Sequence, residues 1–133
     1  MIYWWFWFGR GNIVKEDLLK ELSYRFAVNT IKLCRNLQMC EKEYILSRQL
    51  SKSGTSIGAN VEEASGAQSS KDFIAKFHIA LKEAKESHYW LRLLKDTQLI
   101  SSEVFEEQIK ILNHIINLIT KSLKTAKENV EKE

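Results

Sequence analysis

Residues 105–123 read FEEQIKILNHIINLITKSL. The apolar side chains Phe105, Ile109, Leu112, Ile116, Ile119 and Leu123 recur there at alternating steps of four and three. Those steps stack side chains on one face of an α-helix, with the mean period of bundles and coiled coils. The same alternation runs upstream through Phe73, Phe77, Ala80, Ala84, Ser87, Leu91 and Leu94. Proline, which would break such helices, is absent from all 133 residues.

Working outward, two more helices complete the chain. The first is expected over about Val14–Gln38, through Leu19, Leu22, Phe26, Leu33 and Leu37. The second is expected over about Lys42–Gln68, through Leu46, Leu50, Ser53, Ile57, Val61 and Ala64. Ser69, with Asp72 three residues on, resembles a capping box that starts the third helix. Ser101 and Ser102 precede the fourth, which opens on Glu103, Glu106 and Glu107 and closes on Lys121, Lys124 and Lys127, the order favoured by the helix dipole. Short linkers make neighbouring helices antiparallel. The fold class is therefore all-α: a single-domain, up-down-up-down four-helix bundle over residues 13–128.

Two segments fall outside that bundle. Residues 1–12 begin MIYWWFWF and are punctuated by Gly9 and Gly11, which reads as an aromatic N-terminal extension. It lacks a basic start and a cleavage site, and it is too short to span a bilayer. Three readings stay open for it: an extension without a role, packing on an apolar groove of this or a sister subunit, or a dip into a membrane interface. Residues 129–133 form a charged tail expected to fray.

The helices carry more apolar surface than one stripe each. Ile111, Ile115 and Leu118 stand beside the core set of the last helix, as do Ile74, Leu81, Trp90 and Leu93 on the third. Two accounts stay open for the excess: a broad core within one chain or, as the favoured reading, a second buried surface between copies of the chain. A small-residue face on the second helix, Ser51, Gly54, Gly58, Val61 and Ser65, marks a close helix approach, because two interior glycines otherwise cost about 1 kcal/mol each. Gly54, Gly58, Val61, Ser65, Trp90, Ile111, Ile115 and Leu118 are accordingly the expected packing or oligomer seam. Glu62 and Glu63 beside it are placed to meet a basic neighbour.

Chemistry is sparse. A di-iron bundle needs Glu-x-x-His on two helices, and the residues three before His78, His88 and His114 are Ala75, Lys85 and Ile111. No metal and no cofactor are expected. The run from Ser53 to Asn60 lacks the Lys-Ser/Thr of a phosphate loop, and no base or oxyanion donor accompanies its serines. Cys34 and Cys40 read as reduced thiols of a cytoplasmic protein. An enzyme is not expected.

Charge is the remaining signal. The net charge is +3, and residues 1–53 hold nine bases against five acids. Arg25, Lys32 and Arg35 on the first helix, with Arg48 and Lys52 on the second, are the candidate nucleic-acid contacts. Such contacts bind phosphate with salt-dependent, weakly selective affinity.

The run RQLSKSGTSIGANVEEA, Arg48 to Ala64, resembles the signature of bacterial four-helix-bundle proteins named for the 23S rRNA intervening sequence. KDFIAK (71–76), IALKEA (79–84) and ESHYWLRLL (86–94) are similar to that family too, so the resemblance covers about residues 13–128. It implies a homopentameric ring, in a family with no established catalytic activity and no agreed molecular role. Some relatives are encoded within large-subunit rRNA genes, and a distant group serves retroelement reverse transcriptases as accessory subunits. The expectation is a homo-oligomer that binds structured RNA, with a protein-interaction scaffold as the alternative, and with no membrane partner.

Overall fold

The computed structural model describes residues 2–132, with side chains from Glu16 onward. Four helices follow in order: α1 (Ile2–Cys40), α2 (Ile45–Ser65), α3 (Ser70–Asp96) and α4 (Ser102–Glu131). The backbone of α1 continues through Gly9 and Gly11, so its start lies well before the expected Val14. What the side chains of the aromatic extension pack against lies outside the described residues. At the other end, α4 holds to Glu131, past the expected onset of fraying, with Ala126 buried and Val130 half-buried beneath its last turns.

Each helix boundary has a local cause. Ser69 and Ser101 cap α3 and α4: their hydroxyls accept from the Asp72 and Val104 backbone N–H at 3.1 and 3.2 Å. α2 starts differently. Tyr44 stands at its cap and offers no side-chain bond. Instead the Glu43 carboxylate, one residue earlier, accepts from the N–H groups of Ile45, Leu46 and Ser47 at 3.1, 2.8 and 2.8 Å. One side chain thus satisfies three of the four orphan donors of this helix and sets a negative charge at its positive end. α1 and α3 both stop just before a residue in the left-handed region, Lys42 (φ 53°) and Gln98 (φ 63°). The chain then folds back, with Glu43 N–H bonded to Leu37 O and Leu99 N–H to Leu94 O.

Among the described residues each helix packs on two neighbours, α1 on α2, α2 on α3, α3 on α4 and α4 on α1, with no contact across the diagonals. That is the up-down-up-down bundle. Cross-helix pairs fix the antiparallel register: Gln38 with Ser47 and Thr30 with Gly54 between α1 and α2, then Ser53 with Ser87 and Glu63 with Lys76 between α2 and α3. The core runs down the middle through Phe26, Leu50, Ile57, Phe77, Leu91, Leu112 and Ile119, all nearly inaccessible.

One expectation about this core is corrected. Ile115 is fully buried and Leu118 is 8% exposed within the single chain, so neither is free to join a surface between copies. The buried arc of α4 is broad because the helix seals against both α1 and α3. Trp90 and Ile111 are half-buried and pack on the edge of the core. Among the described residues the large apolar side chains that face solvent are Tyr24, Ile31, Met39, Tyr44 and Ile45, with Ile79 and Tyr89 on α3. No helix among the described residues is long and apolar enough to cross a membrane.

Candidate nucleic-acid interface

The small-residue face of α2 turns toward α1 of the same chain. A Cβ built on Gly54 would lie 2.8 Å from Thr30 Cγ2 and 3.0 Å from its Oγ1, closer than carbon contacts allow. At Gly58 the nearest atoms, from Ser23, are 3.5 Å away, an ordinary contact. Gly54 is therefore needed for the approach, and Gly58 only eases it. Ser23 and Thr30, both buried, supply the facing side of the seam. Val61 belongs to the core and Ser65 is half-buried at its end. This seam is a contact between helices of one subunit.

On the opposite flank α2 meets α3 through polar pairs. The Ser53 and Ser87 hydroxyls lie 2.8 Å apart in the core, each the other's partner, which removes the cost of burying them. Glu63 reaches Lys76 at 2.8 Å on the surface, the basic neighbour anticipated for this acidic pair. Farther along α3, Glu83 is held above the usual carboxylate range, first by burial and then by neighbouring Glu86. Glu86 in turn accepts from Trp90 Nε1 at 3.4 Å, which ties that ring to its own helix.

All five candidate bases are exposed, and they are spread over two helices. Arg25 turns toward α4, where it lines a groove between α1 and α4. Lys32 follows two turns later on the same face of α1, and Arg35 lies one turn beyond it. Lys52 lies on the far side of α2, close enough to Glu83 of α3 to affect its charge, and Arg48 sits one turn before it.

The α1–α4 groove has a volume of about 500 Å³ and is lined by Leu22, Arg25 and Asn29 from α1 and by Glu107, Lys110, Ile111 and His114 from α4. It lies along the contact between α1 and α4. Lys110 reads from sequence as an ordinary solvated position, and His114 enters there only as a metal ligand that its neighbours exclude. Only the neighbouring wall makes them part of a site.

Among the described residues no group of three or more His, Cys, Asp or Glu could hold a metal ion. His78 is exposed, while His88 is half-buried and kept below its ordinary value by that burial and by Arg92. Burial pushes the Cys34 thiol up to about 11, whereas Cys40 is exposed.

These features define an antiparallel four-helix bundle with exposed bases and an open interhelical groove among the described residues. Residues 16–121 match the family described as 23S rRNA-intervening sequence protein. The chain belongs to that family. Among solved structures it is similar to a 1.70 Å crystal structure described as a protein with unknown function from the S23 ribosomal protein family from Bacteroides thetaiotaomicron. The two share 44% identity and a TM-score of 0.81 over 83% of this chain and 98% of that one. No protein of curated function is significantly similar to the chain.

Proposed function

We propose that this protein is a non-enzymatic, cytoplasmic bundle that assembles as a homopentameric ring and binds structured RNA through exposed basic side chains. The observation that carries the reading is the state of Arg25, Lys32, Arg35, Arg48 and Lys52. Each is exposed, and none takes part in an ion pair among the described residues. Unpaired cations release counterions when they meet phosphate, so binding weakens steeply with salt. The family's description, which refers to 23S rRNA, supports RNA as the polyanion. A gel shift against structured RNA across a salt series tests the reading. Affinity that weakens when Arg25, Lys32 and Arg35 are neutralised is expected, and absence of binding at low salt refutes it. Light scattering after gel filtration tests the ring, and a monomer at micromolar concentration refutes it.

A second reading is a scaffold or accessory subunit for a nucleic-acid enzyme such as a reverse transcriptase. The exposed apolar corner formed by Met39, Tyr44 and Ile45 around the α1–α2 turn, with Ile45 77% exposed, favours it. Pull-down from the native host separates the two readings, since RNA recovered without a stoichiometric protein counts against the scaffold.

A further inference from the structure

We propose that the α1–α4 groove is where this chain grips an RNA phosphodiester backbone, with Arg25 and Lys110 as the charged contacts and Asn29 and His114 as additional hydrogen-bond donors. The inference rests on the RNA-binding reading and narrows it to one place.

The walls of the groove carry matched pairs. Arg25 and Asn29 are one turn apart on α1, and Lys110 and His114 are one turn apart on α4. Four residues along a helix advance about 6 Å, a step comparable to that between successive phosphates of one strand. Arg25 and Lys110 are exposed and have no ion-pair partner among the described residues. Phosphate oxygens accept and never donate, and these walls donate. The floor, Leu22 and Ile111, offers no competing polar group.

The composition also argues against other occupants. Among the described residues no Phe, Tyr or Trp ring lines the groove, and the single imidazole of His114 is too small a platform for successive bases, so recognition is of the backbone with little sequence preference. A protein helix docks best where an aromatic or arginine anchor fills a desolvated pocket, and two aliphatic side chains make a narrow floor for that. Glu107 is the one carboxylate in the lining. It opposes phosphate at that end, which gives the groove a direction: the strand runs past Lys110 toward His114, away from the acidic start of α4. Arg48 and Lys52 lie on another flank and contribute only to the general field.

The test uses the full chain and a fluorescein-labelled RNA stem-loop, with anisotropy measured across a salt series and far-UV circular dichroism checking that each variant folds. Arg25→Ala/Lys110→Ala is expected to reduce the slope of log affinity against log salt by about 2. Arg48→Ala/Lys52→Ala is expected to change it less, and Glu107→Gln to tighten binding. If the wild-type chain binds and the groove variant loses no more slope than the α2 variant, the groove assignment is overturned while RNA binding stands. If the wild-type chain does not bind at low salt, the RNA reading itself fails. Polyglutamate competing as well as unlabelled RNA also overturns the assignment, in favour of an acidic protein partner.

Discussion

Replacing Gly54 and Gly58 singly by alanine separates two effects that the sequence merges. In an isolated helix either change would gain about 1 kcal/mol of helix propensity. At Gly54 the new methyl group would stand 2.8 Å from Thr30 Cγ2, 3.0 Å from Oγ1 and 3.3 Å from Cβ. Rotating Thr30 cannot relieve the clash, because both branches and the carbon that bears them are close. The α1 and α2 backbones must separate by a few tenths of an ångström, and overpacking of this kind costs about 1–3 kcal/mol. The net expectation for Gly54→Ala is a loss of about 1 kcal/mol. At Gly58 the methyl group meets Ser23 at 3.5 Å, so the propensity gain survives and Gly58→Ala stabilises by up to about 1 kcal/mol. The two variants should therefore differ by about 2 kcal/mol. Urea unfolding followed by circular dichroism resolves such a gap, provided the slope with denaturant is unchanged. Thr30→Ala should recover part of the Gly54→Ala loss, because it removes both clashing branches. Equal stability of the two alanine variants, or no rescue by Thr30→Ala, would refute the claim that Thr30 sets the approach of these helices.

Other expectations follow from single groups. Glu43→Ala deprives the start of α2 of three hydrogen bonds from one carboxylate. It should cost about 1–2 kcal/mol in denaturant unfolding, and Glu43→Gln should cost less. Glu16 is pushed up from 4.5 to about 7, mainly by burial, against the pull of Lys20 and with Asp17 and Glu62 adding to the rise. The folded state then holds a proton that the unfolded chain releases, so this stabilisation is present below about 4.5 and is lost as pH rises through about 7. After allowance for its partly exposed position the difference is of order 1–2 kcal/mol. Glu16→Gln should flatten that part of the pH–stability curve, and an unchanged curve would refute the assignment. A thiol reagent at neutral pH should label Cys40 at once and Cys34 only on unfolding, because Cys34 is 3% exposed and its thiol is pushed up to about 11. Mass spectrometry of the labelled native protein checks this.

The bundle was legible because its signal is a period, repeated in four segments, and Ser69 and Ser101 have the residue types that caps require. The start of α2 was not, since its cap function comes from Glu43 across a tyrosine and no short motif encodes that reach. Ile115 and Leu118 looked superfluous because a one-dimensional stripe underestimates a helix sealed on two sides. The glycine seam was visible as small residues, but its partner was not. Ser23 and Thr30 are polar, and their burial comes from the close approach itself. The candidate bases were legible one by one. The groove with Lys110 and His114 was not, because it depends on a neighbour far away in sequence.

The closure of α1 on α4 bears on how the chain is made. Synthesis proceeds from the N-terminus, and helical hairpins with local contacts form quickly. α1 and α2, then α2 and α3, can dock as each pair leaves the ribosome. The flank of α1 bearing Leu22 and Arg25 stays wet until the final helix has been translated. That late-covered flank is where a nascent chain is most open to a chaperone or to a neighbouring copy.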